Sequence, residues 1–225
     1  MRTQILPSAA KRLRHVDSAI EKMVAPYRRN PAVRALDLYG KIGDQPPLRA
    51  LCAGVIVLGL IRRDRRLAGA GINMLAAHEL ATSIKSFLKH RIDRKRPRNA
   101  ETPADNAARP GDSHAKAKSS FPSGHSAGAV AVAHAFGRQF PDHGPAAIGA
   151  AALVGASQVP RSAHFATDVV AGVAIGWVAE AIVNGAFVAI RRLAANLPEG
   201  SSASPASRPA EKSWRPAGRW ANSAR

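Results

Sequence analysis

Residues 169–190 form an apolar stretch of 22 positions, with Glu180 its only charge and Asn184 a further polar break. As a helix it rises about 33 Å, enough to cross a hydrocarbon core about 30 Å thick. Arg191-Arg192 closes it, as basic residues close the cytoplasmic end of a span. Whatever this chain folds into must bury that surface or give it to lipid.

Four further runs share the character. Leu48–Ile61 is broken only by Arg49 and stops at Arg62-Arg63-Asp64-Arg65-Arg66. Its 14 residues fall short of the roughly 20 a simple span needs. Leu67–Leu88 is moderately apolar and carries His78, Glu79 and Lys85, so it suits a helix facing other helices. Ser123–Phe136 and Pro145–Val159 are rich in Ala, Val and Gly. Apolar residues make up 46% of the chain but aromatic ones only 5%, which favours helices packed closely through small side chains. The expectation is an all-α fold: a bundle of about five core helices, membrane-embedded, with up to five spans near 48–61, 67–88, 123–139, 145–160 and 168–190.

The ends differ from this middle. Residues 1–47 are polar and basic, with Leu13, Val16, Ile20 and Val24 at helical spacing; they read as an amphipathic segment lying on a membrane surface or on the domain itself. Pro46-Pro47 is expected to end it. Residues 48–194 form the domain proper. Residues 195–225, rich in Ser, Pro, Ala and Arg, read as a disordered tail, with Trp214 and Trp220 beside Arg215 and Arg219. No apolar segment near the start reads as a secretory signal. The single cysteine, Cys52, excludes an internal disulfide and a cysteine-based zinc site. The net charge of +18 calls for an anionic partner: nucleic acid, an anionic membrane or a phosphorylated substrate.

Three polar clusters sit beside helix ends. Lys89 and Arg96 are seven apart, two turns on one helical side, and an ammonium with a guanidinium suits a phosphate dianion. The competing reading is a solvated basic stretch. In Phe121-Pro122-Ser123-Gly124-His125, Ser123 reads as an N-cap and Gly124 allows close backbone approach. The first helical N–H groups then make an anion site within reach of His125. An ordinary cap with an incidental histidine is the alternative. His164 and Asp168 are four apart, so they meet on one helical face or across a helix start, where the carboxylate can orient and activate the imidazole. A capping aspartate beside a surface histidine is the bland version.

Lys-x6-Arg-Pro, then Pro-Ser-Gly-His, then His-x3-Asp, in this order and separated by helices, resembles the PAP2 (type 2 phosphatidic acid phosphatase) superfamily over about residues 40–190, including Gly43-Asp44-Gln45-Pro46-Pro47. The resemblance implies a phosphatase acting on a lipid phosphate monoester or diphosphate without metal or other cofactor. His164 would form a phosphohistidine, Asp168 would orient it, and His125 would protonate the leaving oxygen and then help activate water. Lys89, Arg96, Ser123 and the Gly124 amide would hold the phosphoryl oxygens. One departure stands out. The family usually has an arginine six residues before the histidine of its third motif, where this chain has Gln158, which can still donate a hydrogen bond to the phosphate but carries no charge. Arg161 could supply the lost cation from a neighbouring turn.

Three alternatives remain. A nucleic-acid binder would use the charge, but no reading motif is present and the basic stretches lack interleaved aromatics. A catalytically weakened membrane scaffold would explain Gln158. A vanadate-dependent haloperoxidase would use a similar anion pocket in a larger soluble chain. The expected partners are therefore a lipid phosphate and an anionic membrane, not nucleic acid. The expected location is a bacterial-type inner membrane, multi-pass, with the active site facing the periplasm. That sidedness leaves the basic N-terminal segment on the wrong side of five spans unless the first hairpin is re-entrant.

Overall fold

A computed structural model describes residues 5–100, 102–112, 115 and 119–196. The expected disordered tail, 195–225, lies almost wholly outside the described residues. Among the described residues the chain forms seven α-helices: α1 (Ile5–Val24), α2 (Pro31–Gly40), α3 (Gln45–Ile61), α4 (Arg65–Lys89), α5 (Gly124–Gln139), α6 (Gly144–Ser157) and α7 (Ala166–Ala195). The five apolar runs are α3 to α7. The one small sheet pairs β1 (Ile92–Asp93) antiparallel with β2 (Arg109–Pro110). The chain divides into two compact units, Met1–Val188 and Ala189–Arg225, and every residue discussed below as part of the site belongs to the first.

Local chemistry sets the helix starts. Asn30 caps α2 by accepting from the Ala32 amide at 2.8 Å, and Pro31 occupies the first turn, where its missing N–H costs nothing. Asp64 caps α4 through the Arg66 and Leu67 amides at 2.9 and 3.0 Å. Pro46-Pro47 does not close the N-terminal segment; it lies in the first turn of α3, for the same reason that Pro31 opens α2.

α5 is the central helix. One face joins α3, α4 and α7 around Cys52, Met74, Ala77, Ala131 and Ala179; the other meets α6 through Ala129, Ala133, Ala151 and Val154. Small residues let these axes approach. A Cβ at Gly172 would lie 2.4 Å from the Ser123 carbonyl oxygen, and one at Gly176 would lie 2.4 Å from that of Ala127. Gly172→Ala therefore forces α7 away from the start of α5. It is expected to destabilise the fold by about 1–3 kcal/mol, the usual cost of overpacking, read from thermal unfolding in detergent.

α7 passes the test of length and apolarity for a membrane span by itself, and only 17% of its apolar window is buried. Val170, Trp177, Ile182 and Ile190 are exposed along it. A soluble core helix would hide those side chains, so this outward surface is suited to lipid. α2 with its following turn and α3 pass the same test only as a pair, bent by 57° at the break, the geometry of a broken span or re-entrant loop. Glu180, the one charge inside α7, is buried and takes Arg138 Nε of α5 at 2.5 Å.

α1 turns inward the face that carries Asp17, with Ile20 and Val24 half-buried beside it. Leu13 and Val16 are about half exposed, while Asp17 is fully buried. The surface it meets is polar, built from the segments around Arg94, Asn106, Ser162 and Thr167. Side-chain hydrogen bonds there outcompete apolar burial.

Candidate active site

Lys89, Arg96, Gly124, His125 and His164 line one cavity of about 460 Å³, which residues 43–47 and Lys85 also line. Three segments distant in sequence thus converge, as their chemistry demands.

Lys89 and Arg96 do not share a helix. α4 ends at Lys89, and Arg96 stands seven residues on in extended backbone (φ −73°, ψ 149°). The two-turn reading therefore fails at Lys89, where α4 stops, and Pro97 further disfavours the helical region for Arg96 itself. The β1–β2 pair and the bridge between Arg94 and Ser119 fold the strand back so that both cations still face the cavity. Lys89 Nζ donates to the Ser119 carbonyl at 2.8 Å, which holds its stem in place. Burial, with Arg98 and Arg161 nearby, pulls the Arg96 pKa down from its usual value; a guanidinium remains charged regardless.

Ser123 caps α5, its Oγ accepting from the Ser126 amide at 3.4 Å and lying 2.9 Å from Ser126 Oγ. It is wholly buried and does not line the cavity. The backbone is packed tightly here: a Cβ on Gly124 would come within 3.1 Å of Lys85 Cδ. His125 projects from the first turn of α5, its Nε2 2.8 Å from Asp44 Oδ1. Burial pushes the His125 imidazole down to about 4, with Asp44 opposing and His164, Arg161 and Arg96 reinforcing. At neutral pH it is therefore a neutral imidazole beside Asp44.

His164 precedes α7, so the pair with Asp168 spans a helix start. Asp168 is first a cap: its Oδ2 accepts from the Phe165 amide at 2.9 Å. The nearest partner of His164 Nδ1 is the Ser120 carbonyl at 2.7 Å, with Asp168 Oδ2 at 3.9 Å. Ser120 connects them, because its hydroxyl donates to Asp168 Oδ2 at 2.5 Å. A carbonyl can only accept, so Nδ1 carries the proton and Nε2 keeps its lone pair. The carboxylate acts on the ring chiefly through charge and through Ser120. Burial lowers the His164 pKa, with Lys89 and Arg96 adding to the effect and Asp168 opposing it.

Arg94 and Ser120 had escaped the reading of the sequence. Arg94 is 5% exposed, donates to Asp168 Oδ1 at 2.5 Å and to Asp17 Oδ2 at 2.6 Å, and stacks 4.3 Å over the Phe165 ring. Within a run of seven Lys and Arg from 85 to 98 nothing marks it out. Asp17 did leave a trace: it stands in line with Leu13, Ile20 and Val24 at helical spacing, a charge inside a mostly apolar stripe.

Gln158 is fully buried away from the cavity lining, its Nε2 donating to the Val154 carbonyl at 3.1 Å and Ser157 Oγ at 2.8 Å. Arg161 Nη1 lies 2.8 Å from Asp37 Oδ1 of α2. The distance is that of an ion pair but the angles are not those of a hydrogen bond, so the contact is electrostatic. Among the described residues no cluster of three or more His, Cys, Asp or Glu is arranged to hold a metal ion.

A family model described as the PAP2 superfamily matches residues 70–192. No curated protein sequence matches the chain. Among solved structures, the crystal structure of the first transmembrane PAP2 type phosphatidylglycerolphosphate phosphatase from Bacillus subtilis is similar in fold. Its TM-score is 0.57 at 22% identity, over 85% of this chain and 90% of that one.

Proposed function

Because the chain belongs to the PAP2 superfamily, a relation carried by more than half its length, we propose that this phosphatase hydrolyses a lipid phosphate through a phosphohistidine at His164. The observation that carries the reading is the convergence of His164, His125, Lys89 and Arg96 on one cavity. His164 Nε2 attacks phosphorus as the bond to the lipid oxygen breaks. Lys89, Arg96 and the α5 N-terminal amides take up the charge on the three phosphoryl oxygens. His125 gives its proton to the leaving oxygen. An incoming dianion beside His125 opposes the effect of burial, so the ring gains that proton with the substrate. Neutral His125 then takes a proton from water, which attacks the phosphohistidine and frees phosphate and His164. No step calls on a metal.

Lipid enters the proposal through the surroundings. An apolar groove of about 260 Å³, lined by Ile42, Leu48, Leu51, Val55, Ala133 and Val154 among others, runs beside the catalytic cavity. Residues 43–47 line the cavity while Ile42 and Leu48 line the groove, so the first turn of α3 and the two residues before it separate the two. A phosphate in the cavity and an acyl or prenyl chain in the groove fit one substrate. With α7 exposing its apolar side chains, we place the chain in a bacterial-type inner membrane as a multi-pass protein, its site towards the periplasm. The deciding experiment is phosphate release in detergent micelles from phosphatidic acid, phosphatidylglycerol phosphate, an isoprenyl diphosphate and a short water-soluble phosphate. At least one long-chain substrate should exceed the soluble one in kcat/KM by about tenfold or more, since each buried methylene adds about 0.8 kcal/mol. A preference for the soluble phosphate would end the lipid assignment, and no hydrolysis of any would favour the weakened scaffold.

A further inference from the structure

α1 reaches the catalytic machinery through one side chain. Asp17 Oδ2 accepts from Arg94 Nη2 at 2.6 Å and from the Thr167 hydroxyl at 2.5 Å, and its Oδ1 accepts from the Thr167 amide at 3.1 Å. Arg94 Nη1 donates both to the Thr167 hydroxyl at 2.8 Å and to Asp168 at 2.5 Å. Arg94 is thus clamped between two carboxylates, both with wholly buried side chains. α1 lies entirely outside residues 70–192.

Charge balance shows what the second carboxylate does. Arg94 and Asp168 alone form a neutral buried pair, and a neutral pair has little left to stabilise positive charge on His164. Asp17 restores a net negative charge to the group. The interior is poorly screened, so the field reaches the imidazole through Asp168 and Ser120. His164 is also faced by Lys89 from α4, Arg96 from the extended segment before Pro97 and His125 from α5, three groups that oppose or share its charge. The Asp17 bonds to Thr167 add a geometric part, since Thr167 immediately precedes Asp168 in the first turn of α7.

We propose that Asp17, on the N-terminal helix, is a positioning residue for the catalytic His164–Asp168 pair: it holds Arg94 and the first turn of α7, and keeps Arg94 from cancelling the charge of Asp168. The inference rests on the reading of His164 as the nucleophile.

The test compares Asp17→Asn with Glu21→Gln in the full-length protein in detergent. Glu21 also docks α1, but through Ser162, away from Arg94. Asp17→Asn should lower kcat about tenfold, the range of other charged-network disruptions, with KM within about twofold. It should also lower the titration midpoint of His164, followed by NMR of labelled histidine, by about half a unit or more. Glu21→Gln should match the parent protein in both. Unchanged kcat and midpoint in Asp17→Asn would overturn the proposal, as would an equal loss in Glu21→Gln or an effect confined to KM. If Asp17→Asn does not fold, Asp17→Glu decides. It retains the charge at a shifted position, so the midpoint should stay near the parent value while kcat falls; a midpoint lowered by about half a unit or more overturns the charge argument. If the parent protein released no phosphate from any substrate, the phosphatase reading would fail, yet the His164 midpoint would still decide the role of Asp17.

Discussion

His164→Ala should cut lipid-phosphate hydrolysis by about 10⁴-fold, the scale on which loss of one member of a coupled catalytic set is felt. The variant should also lose the acid-labile phosphoryl group that labelled substrate leaves on the parent protein after rapid quenching. Folding should survive, because the ring is held mainly by one bond to the Ser120 carbonyl and the space it leaves opens onto an existing cavity. The pH profile gives a companion check. Attack needs neutral His164, and burial holds its pKa below the ordinary 6.5. As pH falls through 6.5 the nucleophile therefore stays competent, and it is lost only when pH passes the depressed value. The acid limb of kcat/KM, corrected for ionisation of the substrate phosphate near about pH 6, should lie below 6.5. Appreciable turnover by His164→Ala, or label retained on it, would remove the covalent mechanism.

The second large effect concerns the cations. Arg96→Ala should lower kcat by about 10²–10³-fold, the usual result of deleting one preorganised donor to a developing oxyanion. Lys89→Ala belongs in the same range, with some of its loss arising from release of the Ser119 carbonyl it holds. Arg161→Ala addresses the departure at Gln158. Gln158 is occupied with Val154 and Ser157, so it is in no position to replace an arginine on the phosphate. Arg161, held by Asp37, is close enough to depress the pKa of both Arg96 and His125, and we propose that it supplies the missing positive charge from there. Its loss should then cost about tenfold, less than that of Arg96, because it acts at longer range. Turnover equal to the parent in Arg161→Ala would refute the replacement. Phosphate-release rates of the three variants, measured side by side at fixed ionic strength, supply all of these values.

The five core helices were legible because each is long, apolar and punctuated: Asp64 before α4, Ser123 before α5, charged or proline-bearing stretches between. Those signals are local, set by backbone capping and by the need to bury or shed apolar surface, and local signals survive in a one-dimensional string. The family resemblance was legible for a related reason: Lys89, Arg96, His125, His164 and Asp168 are chemically uncommon choices at fixed spacing. How they are deployed was not. α4 stops at Lys89, so Lys89 and Arg96 share no helix, and the turn that returns Arg96 to the cavity depends on pairing between residues 92–94 and residues 109–119.

The long apolar stretch at 169–190 determined by itself that this chain must bury a long apolar helix or give it to lipid. The fold chose between these by leaving Val170, Trp177, Ile182 and Ile190 exposed. Tertiary structure decided everything that depends on which polar group meets which. It placed Ser120 between His164 and Asp168, took Gln158 off the cavity, and selected Arg94 from a crowd of similar cations. It also turned Asp17 of α1 inward and left Leu13 and Val16 outside. Hydrophobic burial is roughly additive in area and can be read from a periodicity, whereas a buried ion network is favourable only when every partner arrives in place. That condition belongs to the assembled fold.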